Sequence, residues 1–72
     1  MSNKLAFSVT LTFSDKITSD EDVMAITNNI VRAIQSEVNH GAGISPDESD
    51  YYTTQIQVKP IGFDEAITLD IV

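Results

Sequence analysis

The stretch from Asp20 to Asn39 constrains this chain most, because it is the one long run with helical periodicity. At about 100° per residue, Val23, Ile26, Ile30, Ile34 and Val38 share one face, with Ala33 at its edge. Glu21, Asn28, Asn29, Arg32, Gln35 and Ser36 share the other. No Gly or Pro interrupts the run. Its start is marked twice: Thr18 with Glu21 has the spacing of a capping box, and Ser19 offers an alternative cap. Asp20, Glu21 and Asp22 crowd the first turn, where the helix dipole favours negative charge. Gly41 marks the stop, since glycine adopts the left-handed conformation that closes a helix.

The apolar arc is wider than one contact face needs. Met24 and Val31 extend it to roughly half the wheel, against a usual stripe of somewhat over 100°. Two readings follow: a helix sunk deep against a curved sheet, or a second apolar strip that meets a partner.

The rest of the chain supplies strands. From Lys4 to Phe13, Leu5, Phe7, Val9, Leu11 and Phe13 alternate with Lys4, Ala6, Ser8, Thr10 and Thr12, a period of two without exception. Ser14-Asp15-Lys16 is a polar turn leading to the helix. Tyr51 to Lys59 alternates again, with Tyr52, Thr54, Ile56 and Val58 on one face, until Pro60 removes the N–H a ladder needs. Residues 61–65 connect it to a third strand, Ala66 to Val72, whose Ile67, Leu69 and Ile71 point inward. The expected fold class is therefore α+β: one domain over residues 1–72, in the order β-α-β-β. A single-layer, mostly antiparallel three-stranded sheet would carry one helix on its apolar face. Two strand orders are open. The third strand lies between the first two, or the first two pair in parallel with the third at an edge.

At 72 residues the domain is small, and it buries only about 60% of its unfolded surface. It has no Cys to form disulfides and a single His, which disfavours a zinc site. Oligomerisation is the remaining common reinforcement. Absence of Cys fits a reducing compartment. The opening residues lack the apolar core of a signal peptide, so the expected location is cytoplasmic. Eleven acids against 4 bases give a formal charge of −7. That disfavours direct binding to nucleic acid or to an anionic membrane, which are negative themselves. A basic protein partner is allowed, and so is plain solubility.

No catalytic, cofactor or metal motif stands out. His40 sits at a helix C-terminus, where the dipole alone favours a cation, with no nucleophile or carboxylate spaced to work with it. Asp47, Glu48 and Asp50 do not match the calcium loop of an EF-hand. Glu37 falls inside the apolar arc, between Ile26 and Ile30 on the wheel, and reads as an edge residue reaching water. The expectation is thus no enzyme and no cofactor.

Surfaces remain. Met24, Val31, Ile61, Phe63 and Tyr51 are the interface candidates: a helix flank, an apolar pair around a glycine, and a tyrosine at a strand start. Asp20, Glu21 and Asp22 would share one pole of the domain with Asp64 and Glu65, because the second strand climbs back to the level of the helix start. The first functional reading is a non-enzymatic interaction module that pairs with itself. The alternative is an acidic inhibitor, of the kind phages or mobile elements encode, covering a basic nucleic-acid-binding surface of a host protein.

Overall fold

A computed structural model describes residues 4–38 and 52–71. The expectations for Asn39, His40, Gly41, Asp47, Glu48, Asp50 and Tyr51 lie outside these residues. Helix α1 spans Asp20–Val38, as its periodicity requires. Its cap is Ser19 and not Thr18. The Asp22 N–H donates to Ser19 Oγ at 3.4 Å, and the Val23 N–H donates to the Ser19 carbonyl at 3.2 Å, opening the helical ladder. Asp20, Glu21 and Asp22 occupy the first turn.

Strands β1, Gln55–Val58, and β2, Ile67–Asp70, form an antiparallel hairpin. Gln55 pairs with Asp70, Ile56 with Leu69, Gln57 with Thr68 and Val58 with Ile67. Beyond the last pair the Ile71 N–H donates to the Thr54 carbonyl at 2.8 Å, so hydrogen bonding runs past the formal strand end. Directly opposed residues share a face. Ile56, Leu69, Val58 and Ile67 therefore form the inner face. On the outer face Gln55 Nε2 donates to Asp70 Oδ1 at 2.9 Å, and Gln57 Nε2 donates to Thr68 Oγ1 at 3.1 Å. The chain reverses through Pro60-Ile61-Gly62-Phe63, closed by the Phe63 N–H donating to the Pro60 carbonyl at 3.2 Å. Gly62 has φ of +89°, which the third position of a type II turn demands.

The class is α+β, with element order helix, strand, strand among the described residues. The two later strands are shorter than their alternation suggested, and Tyr52, expected on the inner face, is exposed. Residues 4–13 form no strand, despite having the most regular alternation in the chain.

The core lies between α1 and the inner face of the hairpin. Val31, Val38 and Ile56 are buried, at 3%, 6% and 6% exposure. Thr27 is buried with them, and its hydroxyl donates to the Val23 carbonyl at 2.8 Å, one turn back along the helix. This buried face is turned by roughly 60° from the centre of the face formed by Val23, Ile26, Ile30, Ile34 and Val38. Val31 sits at the middle of the contact instead of on its flank. Ile26 and Ile30 are half-buried, and Ala33 and Glu37 are exposed. The cause is width. Two strands about 4.8 Å apart cannot span the apolar side of a helix some 10 Å across, so the hairpin covers one side and leaves the other open.

Candidate functional site

Leu5, Phe7, Val9, Leu11 and Phe13 are exposed to 85%, 79%, 76%, 51% and 47%. The sequence assigns this row to the core, and the structure puts it in solvent. Its order matters: exposure falls steadily toward the helix, so the row is most covered at the end that adjoins α1. In a strand conformation, an apolar residue every second position along residues 5–13 puts all five on one edge. Single exposed hydrophobic residues need no explanation, whereas a contiguous patch marks an interaction site.

Where residues 4–13 meet the helix, a shallow depression of about 370 Å³ opens between the Ser14-Asp15 bend and the first turns of α1. Phe13, Ile17, Ala25 and Ile26 supply its apolar lining, and Lys16 and Asp22 are among its polar residues. This depression adjoins the side of the helix that the hairpin leaves uncovered. Phe13, the last residue of the apolar row, and Ile26 of the helix flank both line it.

The interface candidates read from sequence scatter. Val31 is in the core and needs no partner to cover it. Met24 is half-buried beside it. Ile61, at the second position of the turn, is exposed to 90%, while Phe63 is half-buried at the turn's end. The turn itself forms a second shallow depression, lined by Lys59 and residues 60–64. Asp20, Glu21, Asp22, Asp64 and Glu65 are all exposed. Among the described residues no three His, Cys, Asp or Glu side chains group as metal ligands, and no helix is long and apolar enough to cross a membrane.

Sequence reasoning missed two things. It counted residues 5–13 as core because alternation says which residues share a face but not whether anything covers that face. It also passed over Thr27, whose position on the wheel between Ile34 and Val38 was legible but whose hydroxyl marked it as polar. Comparison with protein-family profiles, curated proteins and solved structures returns no match to the chain.

Proposed function

We propose that this chain is a small, acidic, non-enzymatic protein-interaction module that acts as a homo-oligomer in a cytoplasmic setting. One observation carries the reading: the row Leu5, Phe7, Val9, Leu11 and Phe13 is exposed in the single chain. Burying such side chains contributes about 1.5–3 kcal/mol each at full burial. That is large beside the roughly 5 kcal/mol of a small domain, so folding and assembly are linked. A two-stranded hairpin is itself marginal, and a third strand is what gives a sheet independent stability. In the assembled protein residues 4–13 take that place, antiparallel to β2, which completes the β-α-β-β sheet. The apolar side of the strand then covers the open helix flank at Ile26 and Ile30, and Ile61 adds a peripheral contact.

A second reading has a separate motive. Asp20, Glu21, Asp22, Asp64 and Glu65 are exposed on a chain of net charge −7, which suits an inhibitor that covers a basic nucleic-acid-binding surface on a host protein. Salt separates the two. Self-association of two copies with the same charge is opposed by repulsion, so added salt strengthens it. Capture of a basic partner rests on attraction, so added salt weakens it. Light scattering at micromolar concentration, repeated across ionic strength, tests the first reading. An oligomer whose mass holds or grows with salt supports it, and a mass of one chain at every salt concentration overturns it.

A further inference from the structure

We infer that the partner is a second copy of this chain and that the two copies exchange residues 4–13, each arm completing the sheet of the other. The inference rests on the homo-oligomer proposed above and goes beyond it, because an oligomer can form through Ile61 and the turn with each arm folded onto its own sheet.

Three observations favour exchange. The first is direction. Exposure rises from Phe13 to Leu5, so the segment runs away from the domain to which it belongs. At about 3.3 Å per residue, an extended segment of this length reaches on the order of 30 Å. The described chain accordingly measures 43 × 24 × 20 Å, long in one direction only. The second is the acceptor. The hairpin has two strands, so β1 and β2 each present one unpaired edge among the described residues. An unpaired edge is a template for a strand from another chain. The helix flank at Ile26 and Ile30 is apolar and partly open. The third is the hinge. The bend at Ser14-Asp15 separates the alternating segment from α1 with few residues between them, and a short hinge between a detachable element and its domain is the setting in which exchange occurs.

Exchange is reciprocal, so one two-fold axis satisfies both acceptors and the assembly closes at a dimer. Each arm hides its apolar side chains and seals one sheet edge at once. The charge of the two copies opposes their approach. The contact itself lies along the Ser, Thr and apolar residues of residues 5–13, which carry no acid.

Isotope-filtered NMR on the unaltered chain tests this. Equal amounts of ¹³C,¹⁵N-labelled and unlabelled protein are mixed in denaturant and refolded together, so that mixed dimers form. Exchange predicts NOEs between chains that join the methyls of Leu5, Val9 and Leu11 to Ile26, Ile30 and the β2 side chains, in particles of two copies. A dimer in which those NOEs arise only within one chain overturns the exchange and leaves the homo-oligomer standing. A monomer overturns both. Inserting Gly-Gly-Ser between Ser14 and Asp15 gives an independent reading: the longer hinge lets the arm fold back, so the monomer fraction rises several-fold at a fixed concentration. An unchanged dimer fraction there counts against exchange.

Discussion

Residues 4–13 and the β1–β2 hairpin carry the same kind of pattern and meet different fates. Both alternate apolar and polar residues, and the alternation is cleaner in residues 4–13. Yet the hairpin is paired along its length, and residues 4–13 stand in solvent. The difference is one of closure. β1 and β2 are joined by residues 59–66, with a Pro-Ile-Gly-Phe turn that reverses the chain between them. Their partners are supplied locally. Residues 4–13 are separated from either strand by the whole of α1 and the connection after it, and a pairing of that range must first bear the entropy of closing a long loop. A period-two pattern thus states that a segment can be a strand, and the neighbouring chemistry decides what it pairs with.

The contrast is broken most severely by placing the same charge in each region. Val31→Asp puts an unpaired carboxylate at the middle of the helix–hairpin contact. Such a burial costs several kcal/mol, as much as a small domain's whole stability. Circular dichroism should show loss of the cooperative melt. Val9→Asp puts the same group on the exposed row. Assembly should be lost, the melt should become independent of concentration, and helix content should fall less than in Val31→Asp. If Val9→Asp unfolds the chain as fully as Val31→Asp does while the unaltered protein has the mass of one chain, residues 4–13 belong to the chain's own core and the contrast disappears.

Ile30→Asp sharpens it at intermediate size. Ile30 is half-buried, about 100° round the helix from Val31. Its effect on the melt should be smaller than that of Val31→Asp, and its effect on assembly comparable to that of Val9→Asp. Equal melts for Ile30→Asp and Val31→Asp would place the centre of the contact where the helical wheel alone puts it.

Smaller effects probe the hairpin and the helix start. Gly62→Ala adds a side chain with nothing within 4 Å, so space is not at issue, but φ of +89° strains any L-residue. A loss of about 1–2 kcal/mol in urea unfolding is expected. Ser19→Ala removes the cap of α1 and should cost about 0.5–1 kcal/mol, the low end for such a change, because the bond from Asp22 is long at 3.4 Å. The reference change Thr18→Ala should cost less, since Thr18 does not occupy the cap.

How legible all this was depends on range. The helix was legible in its first residue at Asp20, its run to Val38 and its acidic first turn, because capping and 3.6-residue periodicity are local, although the cap is Ser19, the second of the two offered. The hairpin was legible for the same reason, down to the inward side of Ile56, Val58, Ile67 and Leu69. The side of the helix that meets the hairpin was not. Val31 and Thr27 took the centre from Ile26 and Ile30 because the covering sheet is narrow, and no residue of the helix encodes the width of its partner. The candidate surface was the least legible. The sequence offered Met24, Val31, Ile61 and Phe63 as residues without a place; Val31 is buried, Met24 and Phe63 are half-buried, and of the four only Ile61 is exposed. The larger surface was hidden in a segment whose pattern looked satisfied.

The central claim is that the apolar row of residues 5–13 is covered by another copy of the chain. Sedimentation equilibrium over a range from micromolar to hundreds of micromolar tests it most directly, on the unaltered protein beside Val9→Asp. The account predicts twice the chain mass of 7.9 kDa for the unaltered protein and a single chain mass for the variant. A single chain mass for both, held to the highest concentration with a melt independent of concentration, would contradict it.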